Sequence, residues 1–455
     1  MNGISPENFS FKDYSARVFE KEGIYYRAIL PEYQAEYDHL MTSGLYVELV
    51  QSELLNTHQE VEVSTENQAY KILFPQQIDF LSLPFEWCYS QWRKVILAYL
   101  EINLIALKYG MILKDATPYN FCLKGGKAIL FDTSSFAFFK EPNYWIAYRQ
   151  FCEEMFGPFA LMHYRGMRWG RLTLASHQGL PLDFISQNLP LKSRLNLNCL
   201  LHLHLHAKSY HKPGLQKDNS KGFTREKLIE IFSLIKGTVQ KWDTYQQYPN
   251  YWSEYYDIDI ETEEYLNDKQ ETIKAYLQSC GVQSILDLGA NTGKFSELSC
   301  DYASRVIALE FDKKCVDQIE KRIEETGNIK LHTLLGDLSQ TSPDFGLLGK
   351  EHFSIFKRAK SDLVLALALV HHLALTKMIP FELIADLVYE FSNRYVLIEF
   401  IEKTDRKVHQ LLQNNPRYYP SKEEFEVIIQ RKFNLIQQKT LDKSVRTLYL
   451  LEKCG

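Results

Sequence analysis

The C-terminal half of the chain is predicted to be an α/β domain with a mostly parallel sheet and an antiparallel last strand. Three observations carry this prediction. Short apolar segments alternate with helical patterns between residues 284 and 401, which is typical of parallel strands joined by crossover helices. The stretch SILDLGANTGKFS at residues 284–296 combines a strand, a glycine turn and a helix start. Near the end of the chain, Phe433–Gln438 and Arg446–Glu452 have the pattern of an antiparallel strand pair.

The turn after the first strand is predicted to bind a nucleotide-like ligand in a Rossmann-like domain. It contains Asp287, Gly289, Asn291 and Gly293. Glycine lets the backbone adopt positive φ and approach a ligand closely, and asparagine tolerates the left-handed conformation better than most side chains. The first amides of the following helix are then free to face the ligand. The GxGxxG spacing of dinucleotide-binding loops is absent, because the second glycine comes four residues after the first.

Acidic side chains follow the next two predicted strands. Glu310 lies in the strand-like segment Arg305–Asp312, 23 residues after the acid of the glycine turn, near the offset of roughly 20 residues at which an acid meets ribose hydroxyls. Asp337 lies at the end of the segment Leu334–Leu338. Because the carboxyl ends of parallel strands meet at one edge of a sheet, we expect these acids to lie close to the glycine turn.

These features together resemble class I S-adenosylmethionine-dependent methyltransferases, over roughly residues 260–455. The resemblance implies S-adenosyl-L-methionine as the cofactor. It implies that the glycine turn holds the methionine part, that Glu310 holds the ribose, and that Asp337, with Leu338 beside it, holds the adenine. The family often has a glycine where this chain has Asn291. An α/β domain that binds no nucleotide is the alternative.

Three residues near the same predicted sheet edge are candidates for catalysis of methyl transfer. His371 and His372 directly follow the fourth predicted strand, Asp362–Leu369, and Glu399 lies near the end of the fifth, Arg394–Ile401. A neutral histidine or a carboxylate there could accept a proton from a hydroxyl or ammonium acceptor. For each histidine, packing or capping of the next helix is an equally open interpretation.

A second informative stretch lies in the N-terminal half, at residues 110–136 (GMILKDATPYNFCLKGGKAILFDTSSF). Asp115 is followed five residues later by Asn120, and a predicted hairpin leads to Asp132. This order resembles the catalytic and metal-binding segments of protein kinases, in which one carboxylate orients the accepting hydroxyl while Asn and a second Asp hold Mg²⁺. The resemblance implies an α+β kinase-like domain with a helical lobe, and ATP and Mg²⁺ as further ligands if the domain is active.

The kinase-like segments depart from an active kinase in several ways. No glycine-rich loop precedes the first predicted hairpin, and Arg27 stands where a lysine is expected. Lys114 replaces the arginine of the catalytic loop, and Thr133 and Ser134 follow Asp132 in place of Phe and Gly. The interpretation is a degenerate domain, a pseudokinase, that binds substrate or regulates. Phosphotransfer and an accidental resemblance are the alternatives.

The predicted domains are 1–139, a kinase-like small lobe with the catalytic-loop region, 140–245, a helical lobe, and 246–455, the methyltransferase domain. Tyr245–Asp259 is aromatic and polar and is predicted to be the junction, either packing between domains or acting as a lid. His202, His204 and His206 lie in the helical lobe, but no Cys or carboxylate accompanies them at a familiar spacing. We therefore predict structural or substrate contacts there and no metal site.

Composition narrows the function further. The net charge is −5 and no basic stripe is present, so no nucleic-acid partner is expected. No apolar run reaches 18 residues, so no membrane span is expected. The eight cysteines are scattered without a CxxC pair, which favours reduced thiols and a cytoplasmic location. The oligomeric state is left open.

The predicted function is methyl transfer from S-adenosylmethionine to a small molecule or a glycan. The whole-chain arrangement, with segments such as LKDATPYN and AYRQFC, is similar to bacterial methyltransferases related to the nodulation protein NoeA. Two alternatives stay open: a bifunctional kinase–methyltransferase, and a non-catalytic protein in which both domains are binding modules.

Overall fold

A computed structural model of the chain describes residues 13–62, 69–210, 222–244, 263–414 and 417–454. The chain divides into two units, of which unit one is Met1–Tyr248 with Asp344–His352, and unit two is Pro249–Pro343 with Phe353–Gly455. The nine residues from 344 to 352 group with unit one, whereas the sequence-based division places them in the C-terminal domain. The predicted junction, Tyr245–Asp259, lies outside the described residues.

Unit one begins with a four-stranded antiparallel sheet in the order β1-β2-β4-β3. Two short two-stranded sheets, β5-β8 and β6-β7, follow it. The hairpin predicted at Gly125 and Gly126 is present, and both glycines have positive φ, as a two-residue turn between twisted strands requires. The strands are β1 (Ala16–Lys21), β2 (Ile24–Ile29), β3 (His58–Val61), β4 (Lys71–Pro75), β5 (Met111–Leu113), β6 (Phe121–Lys124), β7 (Lys127–Leu130) and β8 (Phe136–Phe138).

The rest of unit one is mainly helical. Its central helix spans Tyr89–Lys108 and is buried over most of its length, because apolar residues occupy nearly every face. Gly110, at φ +71°, follows it. Two segments, Phe151–Phe156 and Leu200–Leu205, are π-helical. The α-helices are α1 (Gln34–Thr42), α2 (Leu45–Gln51), α3 (Tyr89–Lys108), α4 (Tyr148–Gln150), α5 (Gly157–Arg165), α6 (Leu172–Ala175), α7 (Leu182–Asn188), α8 (Leu197–Cys199), α9 (His206–Tyr210) and α10 (Arg225–Lys241).

Unit two is built on a seven-stranded sheet in the order β11-β10-β9-β12-β13-β15-β14. The first five strands in this order are parallel, and β15 lies antiparallel between β13 and β14. This confirms the mixed sheet predicted from the sequence. The strands are β9 (Ser284–Leu288), β10 (Arg305–Glu310), β11 (Leu331–Leu335), β12 (Ser361–Ala366), β13 (Ser392–Ile401), β14 (Phe433–Thr440) and β15 (Arg446–Lys453).

The central strands of unit two are buried on both faces, as expected of a parallel sheet covered by helices. One strand boundary differs from the prediction. The strand β11 ends at Leu335, so Asp337 lies two residues beyond it, in the loop at the carboxyl edge. The helices are α11 (Glu263–Cys280), α12 (Lys294–Ser299), α13 (Lys313–Thr326), α14 (Ile355–Arg358), α15 (Val370–Leu375), α16 (Phe381–Phe391), α17 (Arg406–Asn414) and α18 (Lys422–Ile429).

A search of the described ranges finds no helix with the length and apolar character needed to cross a membrane.

Candidate cofactor and acceptor sites

The turn between β9 and α12 has the backbone conformation that its sequence predicts. Gly289, Asn291 and Gly293 have φ values of +71°, +49° and +81°. A Cβ atom on Gly289 would lie 3.0 Å from Leu369 Cδ1, and one on Gly293 would lie 2.8 Å from Ile319 Cγ1. Glycine is therefore favoured at both positions by backbone conformation, and at Gly293 also by the lack of space.

Asp287 lies within β9, immediately before this turn, and its carboxylate is buried. Ser296, at the start of α12, donates a hydrogen bond of 2.6 Å to Asp287 Oδ2. The pKa of Asp287 is raised to about 6, mainly by burial and also by the nearby carboxylate of Glu310, against the opposing effect of the serine hydrogen bond. A cationic group placed beside Asp287 would stabilise the ionised form.

Glu310 lies at the end of β10 and is fixed by backbone amides. The N–H of Asn291 donates to its Oε2 at 2.7 Å, and the N–H of Asp312 donates to its Oε1 at 2.7 Å. Burial raises the pKa of Glu310, although these amides act in the opposite direction. Each carboxylate oxygen accepts more than one hydrogen bond, so each can also accept from a hydroxyl of a ligand.

Asp337 is held on both of its oxygens. Ser339 donates to Oδ1 from its backbone N–H at 2.9 Å and from its hydroxyl at 2.7 Å. Lys377 Nζ lies 2.7 Å from Oδ2. Burial would raise the pKa of Asp337, but the lysine ammonium and the serine hydrogen bonds bring it below its ordinary value. Leu338, predicted as part of the cofactor site, is largely buried beside it.

His371 and His372 lie in the first turn of α15, after β12, with their ring centroids 4.1 Å apart. His371 is buried, and neither of its ring nitrogens has a hydrogen-bond partner among the residues that the structure describes. Burial and the neighbouring positive charges lower the pKa of His371 well below its usual value and lower that of His372 to about 4. Both imidazoles are therefore neutral at pH 7.

Glu399, near the end of β13, lies in a buried polar network. Lys269 Nζ is 2.7 Å from its Oε2, and the Tyr265 hydroxyl donates to its Oε1 at 2.7 Å. Arg446 donates to the same tyrosine hydroxyl at 3.0 Å and to Asp405 at 3.1 Å. Burial would raise the pKa of Glu399, but Lys269 and Arg446 bring it below its ordinary value.

This network also fixes the loop that directly precedes α15, the helix that contains the two histidines. The backbone N–H of Ala368 donates to Glu399 Oε2 at 2.8 Å. Ala368 has φ +49°, a left-handed conformation that residues other than glycine rarely adopt. The contacts of Glu399 therefore favour a positioning role over the role of a base that accepts a proton from the acceptor.

In unit one, the predicted metal-binding Asp132 is occupied by protein groups. Its Oδ1 lies 2.6 Å from Arg27 Nη1 and accepts hydrogen bonds from the Ser134 amide at 2.9 Å and hydroxyl at 2.6 Å. Asn120 Nδ2 approaches Oδ2 at 3.4 Å. Burial would raise the pKa of Asp132, but Arg27 and Ser134 bring it below its ordinary value. The arginine thus neutralises the carboxylate that a metal ion would need.

Asp115, the predicted catalytic residue, is half-buried in the same unit. Its pKa is raised to about 6, mainly by burial and also by the negative charge of Asp132. Glu154 has its pKa raised to about 7 by burial. Gln150 connects Glu154 to the segment that contains Asp115, because it donates to Glu154 Oε1 at 3.0 Å and accepts from the Ala116 amide at 3.0 Å.

The histidines of the helical region make structural contacts. His202 Nδ1 lies 2.8 Å from the Tyr148 hydroxyl, and the ring of His206 stacks on that of Tyr148 at 4.6 Å. His204 is bonded through its two nitrogens to Ser186 at 2.9 Å and Ser193 at 2.7 Å. Among the residues described, no group of three or more His, Cys, Asp or Glu side chains is arranged to hold a metal ion.

Sequence reasoning missed three basic residues of unit two: Lys269, Lys377 and Arg446. Each has a long side chain whose partner is distant in the sequence, so no local pattern marks it. One weak signal was available. Tyr265 and Lys269 are four residues apart and therefore lie on the same face of α11. That face is otherwise apolar, and a tyrosine and a lysine within it indicate a buried acidic partner.

The sheet order, with the glycine turn, Glu310 and Asp337 at one edge, defines a Rossmann-like α/β fold in unit two. No family model matches the chain. The chain is 25% identical over 396 residues to the nodulation protein NoeA of Rhizobium meliloti (strain 1021), a match that covers 84% of this chain and 82% of that protein. The similarity to the NoeA-related group predicted from the sequence is therefore confirmed.

Solved structures similar to this chain include the N-methyltransferase NodS from Bradyrhizobium japonicum WM9, with 10% sequence identity and a TM-score of 0.32. That match covers 42% of this chain and 98% of NodS. Another is the bifunctional kinase-methyltransferase WbdD, with 16% identity and a TM-score of 0.30, covering 41% of this chain and 39% of WbdD.

Proposed function

We propose that unit two transfers a methyl group from S-adenosyl-L-methionine to a small molecule or a glycan. The observation that carries this proposal is the geometry of one sheet edge. Both glycines of the turn Gly289–Gly293 have positive φ and a close neighbour, Asp287 lies beside the turn, and Glu310 and Asp337 follow the next two strands. The spare acceptor capacity of Glu310 suits the two hydroxyls of a ribose, and the buried carboxylate of Asp287 suits a cation.

When bound, the cofactor supplies an electrophilic methyl group on a sulfonium. The chain's contribution is mainly alignment of the acceptor with that methyl group. His371 and His372 lie at the start of the helix after β12, and their neutral imidazoles can take a proton from an acceptor hydroxyl or ammonium. His372 is the more exposed of the two and therefore the better candidate. Glu399 is proposed to hold their loop through the amide of Ala368.

The acceptor is proposed to be a small molecule or a glycan and not a nucleic acid. A net charge of −5 gives no electrostatic attraction for phosphate backbones. The similarity to NoeA, which is named as a nodulation protein, is compatible with this proposal but does not name an acceptor.

Titration calorimetry with S-adenosylmethionine tests whether this compound is the cofactor of unit two. We expect wild type to bind it at pH 7.5 and to bind it about tenfold more weakly at pH 5.0, because a carboxyl with a pKa near 6 is about nine-tenths protonated at pH 5.0. The sign follows from the charge: the protonated form of Asp287, which predominates below its raised pKa, cannot pair with the ammonium of the methionine part. The variant Asp287→Asn should bind weakly at both pH values.

The control for this experiment is Asp301→Asn, which removes an exposed carboxylate of the same unit. Adenosine, which lacks the ammonium, should lose less affinity than S-adenosylmethionine between pH 7.5 and pH 5.0, because the raised pKa of Glu310 affects only its contact with the ribose. If wild type binds no S-adenosylmethionine, the proposed function is wrong. If Asp287→Asn keeps the wild-type affinity and pH response, the methionine part is held elsewhere.

For unit one we propose a kinase-like domain that binds substrate or regulates, without phosphotransfer. The ion pair between Arg27 and Asp132 supports this proposal, because a Mg²⁺ ion bridging to phosphates requires a free carboxylate at this position. The domain boundaries at 139 and 245 are proposed with it. A bifunctional kinase–methyltransferase is the alternative, and it keeps the same residues, Asp115, Asn120 and Asp132, as an active set.

The second prediction concerns ATP. In the presence of saturating S-adenosylhomocysteine, which keeps ATP out of the methyltransferase site, calorimetry should detect no Mg²⁺-dependent ATP binding to wild type. The reason is that the guanidinium of Arg27 already occupies the Asp132 carboxylate. Mg²⁺-dependent binding that is abolished by Asp132→Ala, and retained by Asp79→Ala at an exposed position, would favour the bifunctional alternative.

A further inference from the structure

Lys377 lies in the loop after α15, and its ammonium contacts Asp337, the residue implied to hold adenine, and the neighbouring ring of Phe311. Nζ is 2.7 Å from Asp337 Oδ2 and 4.7 Å from the centroid of the Phe311 ring. Phe311 directly follows Glu310 and is 44% exposed, so its ring offers an apolar face at the surface of this edge. The Lys377 side chain therefore contacts both a hydrogen-bond acceptor, Asp337 Oδ2, and one face of an aromatic ring, Phe311.

The geometry points to Lys377 as a residue that sets cofactor affinity by competing with adenine for Asp337 and Phe311, an inference that rests on the proposed function. Asp337 Oδ1 is already taken by two hydrogen bonds from Ser339. Oδ2 is the remaining oxygen for an exocyclic amino group, and it is the oxygen that the ammonium holds. The ammonium lies beside the oxygen that the amino group of adenine would approach and over the ring on which adenine would stack, so we expect adenine to displace it.

The loop is built so that the ammonium can leave without movement of the backbone. The N–H of Lys377 donates to the carbonyl of His372 at 3.1 Å, which anchors the residue at the end of α15. Its side chain is 33% exposed, so a rotation of the flexible stem moves the ammonium into water. This hydrogen bond also connects Lys377 to α15, the helix that contains the candidate base. Lys377 therefore contacts both the proposed cofactor site and that helix.

The cost of displacing the ammonium should be modest. A partly exposed ion pair and one cation–π contact are each weak in water. We therefore expect removal of the ammonium to tighten binding by about fivefold, a size typical of one partly exposed pair. Because salt screens such a pair, high salt should tighten wild-type binding and leave the variant unchanged.

The test is calorimetric titration of the full chain with adenosine and with S-adenosylhomocysteine, in 50 mM and 500 mM NaCl. Adenosine carries no charged group, so a salt effect on its binding reports the protein's own ion pair, whereas S-adenosylhomocysteine also carries the ammonium that is proposed to pair with Asp287. The variants are Lys377→Met, which keeps the apolar stem, and Lys377→Arg, which keeps the charge. Lys321→Met is the control, because Lys321 is an exposed lysine of the same unit whose partner is Glu325 on its own helix.

The expected result is that Lys377→Met binds both probes about fivefold more tightly than wild type in 50 mM NaCl, with a smaller difference in 500 mM NaCl. The arginine and control variants should behave like wild type. Weaker binding by Lys377→Met would mean that the ammonium contacts the ligand, and unchanged binding would place it outside the subsite; either result overturns the inference while the proposed function stands. If neither wild type nor Lys377→Met binds either probe, both are wrong.

Discussion

Replacing Lys269 by methionine is expected to lower the free energy of unfolding of unit two by about 3–5 kcal/mol. Lys269 Nζ lies 2.7 Å from Glu399 Oε2, and the two side chains are 4% and 0% exposed. Methionine would leave the carboxylate buried without its main countercharge. Arg446 and the hydrogen bond from Tyr265 compensate in part, which favours the lower end of this range.

Amide hydrogen exchange of peptides from β13 and β15 in the full chain measures this effect, because slow exchange in central strands reports the opening free energy. The matched control is Lys274→Met, on the same helix, whose partner Glu271 is at the surface; exchange should not change there. Adding Glu399→Gln to Lys269→Met removes both charges and should restore most of the loss. A single variant no less stable than the control would show that the pair does not stabilise the sheet.

The proposed cofactor residues were predictable from the sequence because each is marked by a local pattern. Gly289 and Gly293 have positive φ, which favours glycine, and a Cβ atom at Gly293 would also lie too close to Ile319. Glu310 ends a buried apolar strand, so its charge stands out from its neighbours. Asp337 was placed at the end of a strand but lies two residues beyond it, because the apolar period of β11 continues past its last backbone pairing.

The partners of the acidic residues were not predictable in the same way. Lys377 reaches Asp337 across 40 residues, and Lys269 reaches Glu399 across 130. Such contacts depend on how helices pack on the sheet, and only a weak local signal, Tyr265 and Lys269 on one face of α11, indicates one of them. Glu399 was for this reason a candidate base in the sequence, while its contacts in the fold favour holding the loop at Ala368.

The role of Arg27, which stands where a kinase would have a lysine, is only partly predictable from the sequence. Arg27 was noted from the sequence as the residue at the position of the lysine, and its pairing with Asp132 is a contact across 105 residues. The identity of the residue was readable, whereas its partner was not. A longer and planar cation at this position reaches the carboxylate directly, which is the physical basis for proposing a domain without phosphotransfer.

Replacing Gly293 by alanine is expected to lower the stability of unit two by about 2–5 kcal/mol and to weaken cofactor binding at the same time. At φ +81° a side chain costs about 1–2 kcal/mol. The added Cβ would also lie 2.8 Å from Ile319 Cγ1 and 3.1 Å from its Cδ1, a contact in which helix α13 must give way, and such overpacking costs about 1–3 kcal/mol. Displacement of the turn moves the amides that are proposed to face the methionine part.

A matched control separates the two causes. Gly327, which follows α13, also has positive φ, at +65°, but a Cβ there would meet nothing within 4 Å. The variant Gly327→Ala should therefore lose only the conformational part of the stability and should bind S-adenosylhomocysteine like wild type. Denaturant unfolding gives the stability difference, and calorimetry gives the affinity. If both variants lose the same stability, the close approach to Ile319 does not contribute to the free energy of unfolding. If neither variant loses affinity, the ligand does not bind at this turn.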